Sequence, residues 1–133
     1  MGNGRAVHER SKKEGEFVKL ELISLLETFG YTVRQQGSLA GQSYPESFFT
    51  FWNGSSEDRA HYDNEPIDYV WQFTVYFYST DPALVNTKVL EAIALLKQNG
   101  WIVSGRGYDV PTDVITHTGR AFDALYIERV SQY

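Results

Sequence analysis

No cysteine occurs in the chain, so disulfides and thiolate metal sites are excluded, as suits a reducing interior or an assembly held without covalent staples. Long apolar runs are missing as well. None approaches the roughly 20 residues needed to span a bilayer, and the N-terminus lacks the basic-then-apolar order of a signal peptide; a product soluble where it is made is expected, with no membrane partner. Basic charge is in the minority: 12 Lys and Arg stand against 17 Asp and Glu, a net charge of -5. That balance argues against a general nucleic-acid binder, because phosphate binding is driven by clustered Lys and Arg releasing counterions. Repeats and low-complexity tracts are absent.

What is abundant is aromatic: 15% of the 133 residues, within an apolar share of 42% and a charged share of 22%. The length suits one domain with a real core. The densest segment, Tyr69-Val70-Trp71-Gln72-Phe73-Thr74-Val75-Tyr76-Phe77-Tyr78, reads as a strand. Alternation puts Tyr69, Trp71, Phe73, Val75 and Phe77 on one face, a core set, and Val70, Gln72, Thr74, Tyr76 and Tyr78 on the other. The second set mixes tyrosine with short polar residues, the composition of a surface that meets another protein.

Residues 1–13 hold Arg5, Arg10, Lys12 and Lys13 without periodic apolar positions and read as a flexible N-terminal arm ahead of a single domain, 14–133. Such an arm either touches nucleic acid or an acidic partner or is simply solvated. From Glu14, the residues Val18, Leu22, Leu25, Leu26 and Phe29 follow helical spacing, and Gly30 supplies a left-handed stop. Strands are expected over Tyr31 to Gln36 and Ser47 to Trp52; after Asn53-Gly54, polar Ser55 to Pro66 forms a longer loop or an extended hairpin. Thr80-Asp81-Pro82 caps a second helix that runs to about Asn99, with Gly100 ending it. A short strand at Trp101 to Ser104, a polar segment from Tyr108 to Gly119 and a strand from about Arg120 to Val130 close the chain.

This order predicts an α+β fold, a mainly antiparallel sheet of four to five strands with two helices packed on one face. Trp71, Phe73, Val75 and Phe77 then face the helices together with Leu125 and Ile127. The open face receives Tyr76, Tyr78, Phe122 and Tyr126, with either Phe48 and Trp52 or Phe49 and Phe51 according to register. Such an aromatic surface exceeds what soluble monomers usually expose as one patch. Subunit contact is the favoured reading, through Trp52, Tyr76, Tyr78, Phe122 and Tyr126; the alternative is a cover formed by the arm or by the Ser55 to Pro66 loop.

Signals for chemistry are weak. Glu57-Asp58-Arg59-Ala60-His61-Tyr62-Asp63 groups potential metal ligands but lacks calcium-loop or zinc-helix spacing, so a solvated loop is favoured. Gly105-Arg106-Gly107 lacks the rest of a dinucleotide or phosphate loop and reads as a turn. His117 can be drawn beside Asp109, Asp113 or Asp123, yet no serine stands in a nucleophile elbow. An enzyme is not expected, nor is a cofactor or a metal.

The aromatic strand ending in Tyr76-Phe77-Tyr78-Ser79-Thr80-Asp81-Pro82, the helix opening at Pro82, and the late Asp113-Val114-Ile115-Thr116-His117-Thr118-Gly119-Arg120-Ala121-Phe122 entry into a final strand resemble, in layout and texture, the tail-terminator or tail-completion proteins of long-tailed bacteriophages. The likeness runs from about Glu14 to Val130; the basic arm stands outside it. It implies a small α+β subunit of a homo-oligomeric ring, typically a hexamer, in the virion after assembly in the bacterial host cytoplasm. Its partners would be its own copies, the tail tube protein and the head-tail connector protein, with DNA passing through the lumen without specific binding. Glu57, Asp58, Arg59, His61, Tyr62, Arg106 and His117, on the loops, would reach tube, connector or lumen. Another head-tail connector or minor tail component, or a small-ligand-binding α+β domain using the aromatic face and His117, are the alternatives.

Overall fold

In a computed structural model, which describes residues 17–36, 43–58, 61–62, 65–66 and 68–129, the first helix, α1, occupies 17–27. Val18, Leu22 and Leu26 recur every fourth residue and all are buried, so one stripe of α1 faces the core. The expected helix start at Glu14 and the N-terminal arm lie outside the described residues. The chain leaves α1 through Gly30, whose φ of 86° is left-handed backbone open to glycine without a Cβ penalty.

The second helix, α2, spans Pro82–Gln98 and is capped at both ends by its own sequence. The Asp81 carboxylate accepts the Ala83 N–H at 3.1 Å, and Pro82 fills the first turn, where a missing N–H costs nothing. At the other end Gly100, at φ 88°, lets Trp101 N–H reach the Leu96 carbonyl at 3.0 Å and Gly100 N–H that of Lys97 at 3.3 Å. These paired reverse bonds satisfy carbonyls that the helix leaves unmatched, and they drop Trp101 into the core beside Leu96.

The strands are β1 (Thr32–Gln35), β2 (Ser47–Asp58), β3 (His61–Tyr62), β4 (Glu65–Pro66), β5 (Asp68–Ser79), β6 (Ile102–Val103), β7 (Tyr108–Val110) and β8 (Thr118–Arg129). They form a six-stranded sheet in the order β1-β2-β5-β8-β6, with β7 also on β8, and a two-stranded β3-β4 sheet. β1 and β2 are parallel; the other pairs are antiparallel. The fold is therefore α+β with both helices contributing to one core against one sheet face. It exceeds the expected four to five strands because β7 is a three-residue strand inside the Tyr108 to Gly119 segment, too short to show alternation. Between Asn53 and Asp68 the extended hairpin is found: β2 and β5 pair from Ser47↔Ser79 to Asp58↔Tyr69, with a bulge between Asn53 and Ser55.

Phe73, Val75 and Phe77 lie on the helix side, as alternation predicts, and β2 adds Phe49 and Phe51. The last strand is turned the other way. Val75↔Phe122, Phe73↔Ala124 and Trp71↔Tyr126 pair across the ladder, so Phe122 and Tyr126 lie on the helix-covered face and Leu125, opposite Gln72, on the other. Phe122 is 1% exposed and Tyr126 packs on Trp101 with ring centroids 5.1 Å apart. The expectation that Phe122 and Tyr126 lie on the open face, and Leu125 and Ile127 inward, is corrected accordingly. β8 carries apolar residues at both parities, so its own pattern cannot choose a register; the fully alternating β5 chooses it.

Candidate functional site

Cross-strand register orders the helix-free face into rows. Phe48 lies beside Tyr78 and Gly119; Thr50 beside Tyr76, Ala121 and Tyr108; Trp52 beside Thr74 and Asp123; and Gln72 beside Leu125 and Ile102. The face has two zones of different chemistry.

Toward the Ser47 end, the chain covers its own sheet. The Ser43 to Glu46 stretch that enters β2 and the 111–117 connection into β8 close over Phe48, which keeps 3% of its surface exposed. Tyr44 packs on Phe48 at 5.6 Å, Tyr78 stacks on Phe48 at 5.3 Å, and the His117 ring meets both Phe48 and Tyr44 edge-on at 6.0 and 6.1 Å. The two segments are tied by hydrogen bonds. His117 Nε2 lies 2.8 Å from the Pro45 carbonyl, which only accepts, so in the neutral ring Nε2 carries the proton and Nδ1 accepts from the Thr116 hydroxyl at 3.0 Å. Tyr44 donates its hydroxyl to Asp113 at 3.1 Å, and Thr112 Oγ1 reaches the Val114 and His117 carbonyls. Tyr78 lies directly over Gly119, where an added Cβ would stand 2.7 Å from two of its ring carbons.

Beneath this cover is a half-open cavity of about 590 Å³, lined among others by Gln36, Tyr44, Phe48, Thr50, Tyr78, Asp113 and His117. Among the described residues, Asp113 is the one carboxylate in its wall, and no Lys or Arg lines it. Burial pushes the Tyr78 phenol up to about 12, helped by Tyr76, Asp113 and Tyr44 nearby. The hydrogen bond to Asp113 and the charge of that carboxylate raise Tyr44 as well.

Among the described residues, none closes over the other zone. Trp52 keeps 52% of its surface exposed, Ile102 and Tyr108 are also exposed, and Tyr76 is half-buried, stacked on Tyr78 at 6.1 Å. Polar cross-links knit this surface together: Thr74 donates to Asp123 at 2.7 Å, and the Tyr108 hydroxyl reaches the same carboxylate at 3.3 Å.

Of the residues expected at a subunit contact, Trp52, Tyr76 and Tyr78 share this face, whereas Phe122 and Tyr126 are on the opposite one. The residues expected on loops are not brought together. Glu57 and Asp58 belong to the far end of β2 and His61 and Tyr62 to β3, while His117 sits next to Thr118, which pairs with Ser79 at the other end of the hairpin. At about 3.3 Å per residue those ends are roughly 30 Å apart. Arg59 lies outside the described residues. Arg106 is exposed in the turn between β6 and β7, its carbonyl accepting from Arg120 at 3.1 Å.

The drawn pairs of His117 with an aspartate do not form. Its ring nitrogens serve Pro45 and Thr116, Asp109 holds Arg120 at 2.7 Å, and Asp123 holds Thr74. Among the described residues, Tyr44-Pro45 and 111–117 supply a cover over one end; the N-terminal arm, one of the two covers considered as the alternative, lies outside the described residues. Tyr44 and Tyr108 went unmarked in the sequence, and Asp113 was drawn only beside His117, because their partners lie far along the chain, 69 residues apart for Tyr44 and Asp113. No protein-family model and no curated protein matches the chain.

Proposed function

We propose that the protein is a structural ring subunit of a long-tailed phage or prophage, a tail terminator that caps the tail tube and joins it to the head. The observation that carries this reading is the bare half of the sheet. Trp52, Tyr76, Tyr108 and Ile102 form a surface with aromatic anchors and satisfied polar groups between them, next to a half that the chain has already closed. Aromatic residues concentrate in protein contacts because one end is apolar and the other can hydrogen-bond. A second copy presenting a different surface to this face gives a head-to-tail contact, which closes into a ring when the rotation permits. The acidic balance supports the same role, since like charge keeps DNA from sticking to a lumen wall.

The test is assembly. Mixed with its tail tubes, the protein should cap tube ends as rings in negative-stain images, and Trp52→Asp with Tyr76→Asp should abolish capping while the circular dichroism spectrum stays native. A double variant that still forms rings, or a wild-type chain that stays monomeric at high concentration and leaves tube ends bare, overturns the reading.

A further inference from the structure

We infer that the cavity beneath the cover is a binding site for an organic cation, a guanidinium or alkylammonium group the size of an Arg or Lys side-chain tip. The site does not depend on ring assembly. Its volume, about 590 Å³, falls within the range of small-ligand sites.

The wall selects for charge. Tyr44, Phe48 and Tyr78 contribute aromatic carbon to the wall; Phe48 and Tyr78 are stacked on their neighbours, so the half-buried Tyr44 ring is the one that presents π electrons to a cation. Among the described residues Asp113 supplies the one full negative charge, held in place by the Tyr44 hydroxyl, with lone pairs left over for charged donors. Among the described residues nothing in the wall neutralises it: the only basic side chain there is His117, and both its ring nitrogens are engaged by Pro45 and Thr116. An anion would face Asp113 and the phenols without a compensating cation. A neutral apolar ligand would gain nothing from the solvent-exposed Asp113 carboxylate. A planar or compact cation engages both the Tyr44 ring and the carboxylate.

The experiment titrates the full chain at neutral pH with N-acetyl-arginine amide and with N-acetyl-citrulline amide, an isostere that lacks only the charge. Proton NMR follows the Tyr44, Tyr78 and His117 rings. Saturable millimolar binding of the arginine probe is expected, with the citrulline probe at least about tenfold weaker and Asp113→Asn costing the arginine probe a similar factor. Equal binding of the two probes, binding unaffected by Asp113→Asn, or no shift at those rings overturns the assignment. A synthetic peptide of residues 1–13, which carries Arg5, Arg10, Lys12 and Lys13, distinguishes the source. Binding tighter than the capped arginine upholds the site with the basic arm, from the same chain or a second copy, as its occupant; binding no tighter upholds it with a free amine or another protein's basic residue.

Discussion

The imidazole of His117 donates to the carbonyl of Pro45 at 2.8 Å, joining residues 72 positions apart. That bond holds the segment entering β2 against the segment entering β8, and both lie over Phe48. His117→Ala removes the bond and the edge-on ring contacts with Tyr44 and Phe48. Stability should fall by about 1–2 kcal/mol, read as a lower urea midpoint at unchanged slope. Faster amide exchange should be confined to residues 43–48 and 111–118, whereas exchange rising uniformly would mean that His117 does not act as a local clasp.

Gly119 is required by Tyr78. A methyl group there meets two Tyr78 ring carbons at 2.7 Å and Val110 Cγ2 at 3.0 Å, and Tyr78 cannot retreat easily because Phe48 and Tyr76 stack against it. Gly119→Ala should therefore cost about 1–3 kcal/mol. Gly54, whose nearest neighbours would stand 3.8 Å away, is the control: Gly54→Ala should change stability by less than about 0.5 kcal/mol. Equal costs at the two positions would contradict the close contact over Gly119.

The register of β8 makes a sharp contrast between two large apolar residues. Phe122, 1% exposed under the helices, should cost about 3–5 kcal/mol when truncated to alanine. Leu125, half-buried on the opposite face, should cost about 1 kcal/mol. Chemical denaturation of the two variants decides the matter, and the reverse order of costs would restore the orientation expected from sequence.

Alkaline pH should loosen the covered zone. Tyr78 has its phenol raised from 10.0 to about 12 in the folded chain, so the folded state holds that proton more tightly than the unfolded state. Its contribution is full below pH 10 and is lost as pH climbs through about 12. Tyr44, Tyr108 and Tyr126 shift in the same direction and add to the slope. Tyr78→Phe should flatten the decline of the denaturation midpoint over that window, and an unchanged slope would remove Tyr78 from the account.

Both helices were legible because their ends are written locally: Asp81-Pro82 at one end of α2, Gly100 at the other, and Gly30 after α1. The inward face of β5 was legible too, since its alternation is strict. β8 was not, because Phe122, Ala124 and Tyr126 compete with Leu125 and Ile127 for the same inward direction and only pairing with β5 decides between them. The cover over Phe48 was the least legible feature. Tyr44, Pro45, Asp113 and His117 carry no shared spacing, and their contacts exist only once the sheet has brought two distant segments to one end. In the site, Tyr76 and Tyr78 could be placed from the parity of their own strand and Trp52 only as one of two registers of β2; Asp113 and Tyr44 could not be placed.

The exposure of Trp52 also gives the chain an optical gauge. Of its three indoles, Trp101 is sealed in the core, and Trp71 is partly buried with its nitrogen bonded to Glu128 at 3.0 Å, so iodide dissolved in water encounters Trp52 first. The red, quenchable fraction of the fluorescence therefore comes mainly from that indole, and anything that settles on the uncovered strands shifts it blue and shields it, without a dye or a tag.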